Sequence, residues 1–146
     1  MPGVIRPAFP ADALILAQHR YPGEADAAER PVYATWVADA LERGVYAGFL
    51  AVTDGGEVVA GAGLALLEWG PSRGDSQPYR ARVVNVWTHP DWRRQGLARE
   101  LVTLCLQAAH GRGLTRVSLG TSEMGRALYE ALGFRARGTE MELVLK

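Results

Sequence analysis

The stretch that decides the fold is Val86-Trp87-Thr88-His89-Pro90-Asp91-Trp92-Arg93-Arg94-Gln95-Gly96-Leu97-Ala98-Arg99. An apolar strand pattern passes through a short turn into a long amphipathic helix. A helix start leaves about four backbone N–H groups without intrahelical acceptors, and Ser, Thr, Asp or Asn commonly accepts from them. This helix start offers arginines and a glycine instead. Free amides, the helix dipole and guanidinium groups together predict a site for a phosphate-bearing ligand.

Bulk properties indicate one soluble domain spanning residues 1–146. The formal net charge of zero disfavours a nucleic-acid partner held by long-range charge. Neither a signal peptide nor an apolar run of membrane-spanning length is evident, so we expect a cytoplasmic protein without a membrane partner. The histidines lie far apart and Cys105 is alone, so we expect no metal site and read Cys105 as a core residue.

Periodicity divides the chain into mixed strands and helices. The predicted strands are residues 4–6, 45–53, 57–69, 80–88, 115–119 and 140–145, with a hairpin at 54–56. The predicted helices are residues 10–20, 25–43, 94–110 and 122–132. Strand 80–88 is apolar on both faces, which is typical of a central strand covered on both sides. The mixture predicts an α/β or α+β domain with one mixed sheet.

Two segments have both a functional and a structural interpretation. Arg93-x-x-Gly96-x-Ala98 fits a pyrophosphate-binding helix start, or simply a solvated, arginine-rich one; a Walker loop and a Rossmann fingerprint are both absent. In the helix at 122–132, Tyr129 lies one step off the packing face, where it can serve a site or simply bridge core and water.

Together these two segments resemble the GNAT superfamily of acyl-CoA-dependent N-acyltransferases. The family's phosphate-binding signature is Arg/Gln-x-x-Gly-x-Gly/Ala after the central strand, and residues 93–98 match it after His89-Pro90. The family's later helix reads Leu-Tyr followed by Gly-Phe, as do Leu128-Tyr129 and Gly133-Phe134. The resemblance implies one mixed, mostly antiparallel sheet flanked by helices on both faces.

The resemblance also implies roles for particular residues. The central strand's backbone would hydrogen-bond the pantetheine arm of CoA, here at Val86, Trp87 and Thr88, and an amide there, most plausibly of Val86 or its neighbour, would stabilise the thioester oxyanion. Tyr129 would protonate the departing thiolate. Ser122 stands where the family often has an asparagine that reaches pantetheine, and a hydroxyl replaces only part of that contact. The pyrophosphate would bind at Arg93, Arg94, Gln95, Gly96, Leu97, Ala98 and Arg99.

The acceptor side is less defined by sequence. Glu68, which we expect at the end of the third strand near the cleft mouth, is the candidate general base, although a solvated carboxylate and the absence of any dedicated base are alternatives. We expect the acceptor between the first two helices and the Gly70–Pro78 loop. Acidic residues near the second helix would favour a cationic acceptor, or form only a solvated face: Glu24, Asp26 and Glu29.

The resulting hypothesis is an N-acetyltransferase that moves an acetyl group from acetyl-CoA to an amine of a small molecule or peptide, and the resemblance allows a homodimer. The alternative is a non-catalytic acyl-CoA-binding or interaction module on the same fold. A nucleic-acid binder using the local arginine cluster is a third interpretation, which the balanced charge disfavours.

Overall fold

The computed structural model describes residues 3–145, within which five strands form one sheet and four α-helices cover it. The strands are β1 (Val4–Pro7), β2 (Tyr46–Val52), β3 (Val58–Glu68), β4 (Tyr79–Thr88) and β5 (Val117–Ser118). The helices are α1 (Ala13–Arg20), α2 (Glu29–Arg43), α3 (Leu97–Gly111) and α4 (Glu123–Ala131). Single 3₁₀ turns precede α1, α2 and α3.

The strand order in the sheet follows the chain, β1-β2-β3-β4-β5. All neighbours are antiparallel except β4 and β5, which are parallel. Parallel strands need a long crossover, and α3 supplies it here. This architecture confirms the predicted mixed, mostly antiparallel sheet.

Each face of the sheet is covered by its own pair of helices. On one face, α3 buries Leu101, Val102 and Cys105 completely against the sheet, and Tyr129 of α4 packs on the same cluster. On the other face, α1 and α2 bury Leu16 and Val37. Truncating one such side chain to alanine typically costs about 2–5 kcal/mol. Burial raises the pKa of the Cys105 thiol to about 12, as expected of the core residue predicted from sequence.

All four helices start later than predicted, by one to four residues, and local conformation explains two of these shifts. Helix α3 starts at Leu97 rather than at Arg94, because Arg94 and Gly96 have φ angles of +64° and +77°. A right-handed helix excludes such left-handed residues. Helix α2 starts at Glu29 rather than at residue 25, which puts Pro31 in its first turn, where a missing N–H costs no intrahelical bond.

The predicted strand over residues 140–145 is wrong. Residues 135–145 are irregular, and the alternating Met141, Leu143 and Leu145 are 99%, 81% and 86% exposed. Alternation specifies a strand only where a neighbouring strand pairs with it and a core covers its apolar side. Within residues 3–145 no strand pairs with this segment, and β5 is only two residues long, Val117–Ser118.

Candidate active site

A bulge interrupts β4 at Asn85 and Val86. Val84 and Trp87 pair with β3 residues that are two apart, so Asn85 and Val86 together lie opposite the single residue Ala62. Asn85 has a φ of +57°, a left-handed conformation that asparagine tolerates better than most side chains. A bulge of this kind bends the strand and interrupts its ladder. Here it turns the second half of β4 away from regular pairing.

The gap between β4 and β5 is a cleft through the sheet. The two strands pair only at Ala81 and Arg82, and in the part of the chain that the structure describes no strand pairs with that edge of β4 from residue 83 onward. The resulting cavity measures about 530 Å³. Its walls are His19, Arg20, Tyr21, Val83, Val84, Asn85, Val86, Leu119, Gly120, Thr121, Ser122, Gly125 and Tyr129. Because Tyr129 packs with the α3 side of the sheet and His19 belongs to α1, the walls of the cleft come from both faces of the sheet.

The start of α3 presents free backbone N–H groups. No side chain caps the helix, as predicted, and within residues 3–145 the N–H groups of residues 94–99 have no backbone or side-chain acceptor. Gly96 is needed for its positive φ rather than for space, because an added Cβ would meet nothing within 4 Å. This segment holds the predicted residues Arg93, Arg94, Gln95, Gly96, Leu97, Ala98 and Arg99.

The side chains around these N–H groups are mostly basic and exposed. Leu97 is only 4% exposed and packs in the core, so only its backbone is available to a ligand. The Arg93 Nε donates to the Thr88 carbonyl oxygen at 3.3 Å, which ties this loop to the end of β4. Arg94 and Arg99 are exposed, and neither has a carboxylate within 4.0 Å in the described chain. Guanidinium groups therefore surround a helix start that already favours anions.

Three residues at the end of β4 differ in how they are held. Trp87 and Thr88 pair with β3, whereas Val86, in the bulge, has no partner there. The Trp87 ring stacks on His19 with 4.4 Å between ring centroids and 18° between planes. Val86 lines the cleft. Its backbone is therefore the part of this predicted trio best placed to meet a ligand in the cleft.

His19 is a buried imidazole on the α1 side of the cleft. It is 8% exposed, and its Nδ1 has no hydrogen-bond partner in the described chain. Burial lowers its pKa to about 4, so the ring is neutral at neutral pH. The imidazole packs on Gly61, where an added Cβ would come within 2.9 Å of Nδ1. It also borders a second cavity of about 470 Å³, whose other walls are Ile15, Gln18, Pro22, Arg30, Val58 and Trp87.

Tyr129 and Ser122 form the α4 wall of the cleft. Tyr129 is half-buried, its ring meets Phe134 edge-on at 5.9 Å, and burial raises the pKa of its hydroxyl above the ordinary value. Ser122 occupies the N-cap position of α4, yet its side chain makes no capping hydrogen bond. In residues 3–145 neither hydroxyl has a hydrogen-bond partner. Both predicted residues thus share one cavity with Val86, with their hydroxyl groups free.

The structure places Glu68 and the Gly70–Pro78 loop away from the cleft, contrary to expectation. Glu68 pairs with Tyr79, the first residue of β4. It lies five residues beyond Gly63 on β3, and five residues of extended strand span about 17 Å. The connection between β3 and β4 lies at the end of the sheet where β4 begins. The bulge and the phosphate motif lie at the opposite end, where β4 finishes. The loop instead contacts Gly113 and Thr115 next to β5.

Sequence reasoning missed a polar network behind the bulge. The Asn85 Nδ2 donates to the hydroxyl oxygens of Tyr33 at 2.7 Å and Tyr46 at 2.9 Å. The Asn85 Oδ1 accepts from the Arg20 Nη1 at 3.4 Å. An asparagine inside the apolar run at 83–87 is the one signal in the sequence that marks this position, because a regular buried strand disfavours it. Its partners, on α1, α2 and β2, have no shared motif.

Two features are absent from residues 3–145. No group of three or more His, Cys, Asp or Glu side chains there is arranged to hold a metal ion. No helix there has the length and apolar character needed to cross a bilayer.

Comparison with known sequences identifies the family. The profile of the acetyltransferase (GNAT) family matches residues 12–134, which is most of the chain. The chain belongs to the GNAT family of acetyltransferases. The GNAT profile spans both sequence motifs and ends at Phe134, before the irregular segment. No curated protein matches the sequence.

Solved structures share the GNAT fold of this protein along nearly its whole length. A predicted acetyltransferase from Clostridium acetobutylicum, crystallised with acetyl-CoA, superposes with a TM-score of 0.88 at 20% identity, covering 97% of this chain and 95% of that one. A GCN5-related N-acetyltransferase from Ralstonia eutropha JMP134 gives 0.86 at 27% identity, covering 97% of each chain. An aminoglycoside acetyltransferase from an uncultured soil metagenomic sample gives 0.75 at 17% identity, covering 98% of each.

Proposed function

We propose that this GNAT protein transfers an acetyl group from acetyl-CoA to the nitrogen of an amine by direct attack on the thioester. One observation carries the proposal: a single cleft joins the bulged edge of β4 to Tyr129 and Ser122. The free N–H groups at the start of α3 follow directly after β4 in the chain. These are the parts that a thioester arm, its leaving group and its diphosphate each require.

Acetyl-CoA would bind chiefly through backbone atoms. The N–H groups of residues 94–99 would hold the pyrophosphate, with added attraction from the guanidinium groups of Arg93, Arg94 and Arg99. The open edge of β4 at residues 86–88 would hydrogen-bond the pantetheine amides, much as a further strand would pair with it. The free hydroxyl of Ser122 would supply one more hydrogen bond from the opposite wall.

The chemistry then needs few side chains. The amine nitrogen attacks the thioester carbonyl carbon, so that a C–N bond forms and the C–S bond breaks. The N–H of Val86 would donate to the oxyanion that develops on the carbonyl oxygen. Tyr129 would give its proton to the departing thiolate. Because burial holds the pKa of Tyr129 above its ordinary value, this hydroxyl carries its proton at neutral pH.

The amine must lose a proton before or during attack, since an alkylamine has a pKa of about 10. Among the described residues no carboxylate lines the cleft, and Glu68 lies at the far end of β3. His19 is too weak a base, because burial lowers its pKa to about 4. We infer that water takes the proton and that the remaining rate acceleration comes from holding the amine close to the thioester carbon. The rate should therefore rise with pH as the neutral fraction of the amine grows.

Two measurements on the full chain test the proposal. Calorimetry with acetyl-CoA should show saturable heat, and thiol release should accelerate when amines from a broad panel are added. Absence of heat at millimolar acetyl-CoA would contradict the proposal at its first step. Binding without thiol release for any amine would instead indicate a non-catalytic acyl-CoA-binding module.

A further inference from the structure

The α1 side of the cleft contains a guanidinium group that no carboxylate neutralises. The Arg20 Nε donates to the Tyr21 hydroxyl oxygen at 3.2 Å, and its Nη1 donates to the Asn85 Oδ1 at 3.4 Å. Both acceptors are neutral. Within residues 3–145 no carboxylate oxygen lies within 4.0 Å of Arg20, whereas three other arginines have such partners: Arg6, Arg43 and Arg126.

Arg20 is held in a defined orientation. Its guanidinium carbon lies 4.9 Å from the ring centroid of Tyr33 and 5.5 Å from that of Tyr21. Asn85 is itself oriented, because its Nδ2 donates to the hydroxyl oxygens of Tyr33 and Tyr46, which leaves its Oδ1 facing Arg20. A guanidinium has five N–H groups, and the two bonds to Tyr21 and Asn85 leave three of them free. The Tyr21 hydroxyl, which accepts from Arg20, keeps its own proton for donation.

Among residues 3–145, no carboxylate lines the cleft that borders this guanidinium or the second cavity beside His19. The second cavity adds a further cation, Arg30, whose hydrogen bonds go to the carbonyl oxygens of Tyr21 and Gly23. Three acidic residues could have favoured a cationic acceptor or formed only a solvated face, and they line neither cavity: Glu24, Asp26 and Glu29. The charge on this side of the cleft therefore favours an anion.

We propose that the acceptor is a small amine that also carries a carboxylate, and that Arg20 with the Tyr21 hydroxyl binds this carboxylate; the inference rests on the proposed acetyltransferase function. A guanidinium pairs with a carboxylate through two parallel N–H···O bonds, which fix orientation as well as charge. Arg20 and Val86 line the same cavity of about 530 Å³, which the acceptor shares with the thioester end of acetyl-CoA. That volume suits a free amino acid or a similar aminocarboxylate.

Matched pairs of acceptors test this directly. Initial rates of thiol release from acetyl-CoA are measured with free amino acids and with their carboxamides, each compared at equal concentrations of neutral amine. We expect at least one amino acid to exceed its carboxamide by tenfold or more in kcat/KM. Preference for the carboxamides throughout, or for a polyamine such as spermidine, would overturn the inference.

Substitutions at Arg20 connect the preference to this residue. Arg20→Gln should lower kcat/KM for the preferred amino acid by roughly 10–100-fold, in line with the loss of a charge-assisted bidentate pair, and should lower that for the carboxamide much less, because a neutral amide loses only an ordinary hydrogen bond. Arg20→Lys keeps the charge but loses the planar fork, so its loss should be intermediate. Arg43→Gln, on α2 and paired with Asp39, is the matched control and should change neither rate.

Separate measurements distinguish failure of the inference from failure of the proposed function. If calorimetry shows no acetyl-CoA binding, the transferase proposal fails irrespective of Arg20. If acetyl-CoA binds and amines are acetylated without any preference for a carboxylate, only the present inference fails. If acetyl-CoA binds but no amine reacts, saturation-transfer NMR on protein saturated with CoA decides: amino acid binding that Arg20→Gln abolishes supports the inference, and no amino acid binding overturns it.

Discussion

The two ends of the cleft present different kinds of polar group to a ligand. At the end that we assign to CoA, the binding groups are chiefly backbone N–H and C=O groups of a single segment, residues 86–99. At the acceptor end, the polar groups are side chains that α1, α2, β2 and β4 bring together, such as Asn85 with Tyr33 and Arg20 with Asn85. A site of backbone groups depends on local conformation, whereas a site of side chains depends on the whole fold. A substitution at one end should therefore impair the function of that end and leave ligand binding at the other end unchanged.

The largest expected effect is on chemistry, where the two ends meet. Tyr129→Phe should lower kcat by roughly 10–10³-fold, because it removes the proposed acid. The affinity for acetyl-CoA should stay unchanged, since the backbone groups of β4 and α3 are untouched. Steady-state thiol release and calorimetry separate the two quantities. Tyr79→Phe, at the exposed start of β4, is the matched control, and an unaltered kcat in Tyr129→Phe would remove that role from Tyr129.

The acceptor end should be the acid-sensitive one. The buried His19 has a pKa of about 4, against an ordinary value of 6.5. Between these two values the unfolded chain binds a proton at this residue and the folded chain does not. The contribution of His19 to the unfolding free energy should be constant above pH 6.5 and should fall by up to about 3 kcal/mol as the pH drops from 6.5 to 4. Urea titrations across this range measure the slope. His19→Gln should reduce it and exposed His110→Gln should not; equal slopes in all three proteins would contradict the assignment.

The CoA end should be sensitive to backbone conformation instead. Gly96→Val forces a β-branched side chain into a left-handed φ. If the loop keeps its shape, this strain should lower the unfolding free energy by on the order of 2 kcal/mol. If the loop relaxes instead, its N–H groups lose their arrangement and acetyl-CoA affinity should fall about 30-fold. Gly44→Val meets the same constraint at the C-terminal end of α2, where φ is +75°, and should destabilise the fold without weakening acetyl-CoA binding. Equal acetyl-CoA affinities in the two variants would show that the backbone at Gly96 does not bind the ligand.

The smallest expected effect concerns the one side-chain hydroxyl assigned to the CoA end. Ser122→Ala should weaken acetyl-CoA binding by about threefold, the value of one neutral hydrogen bond. The unfolding free energy should not change, because the Ser122 side chain makes no capping bond to α4. Ser76→Ala, in the exposed Gly70–Pro78 loop, is the control. Loss of stability without loss of affinity would reassign Ser122 to a structural role.

The same contrast explains how far the sequence could be interpreted. The strand, turn and helix at residues 86–99 interact with each other locally, so their pattern predicted both an uncapped helix start and its position after a central strand. The free N–H groups at residues 94–99 confirm the first part of that prediction. Only the helix boundary was wrong, because nothing in the sequence reveals that Arg94 takes a left-handed φ.

The acceptor end could not be predicted in the same way. Arg20 and Asn85 are 65 residues apart, and only the packing of α1 on the sheet brings them together. The position of Glu68 away from the cleft has a related reason: the strand was predicted correctly, but which of its ends meets the cleft follows from the antiparallel hairpin and its register. The residues 140–145 alternate as a strand would, yet no partner strand pairs with them in the described chain.

That both faces of the sheet contribute walls to the cleft has a kinetic consequence. Two substrates that bind against different walls can occupy the protein together, so the reaction should pass through a ternary complex. The thiol of Cys105 is fully buried in the core under α3 and cannot take up an acyl group from the cleft as a covalent carrier. Double-reciprocal plots at several fixed amine concentrations should therefore intersect rather than run parallel.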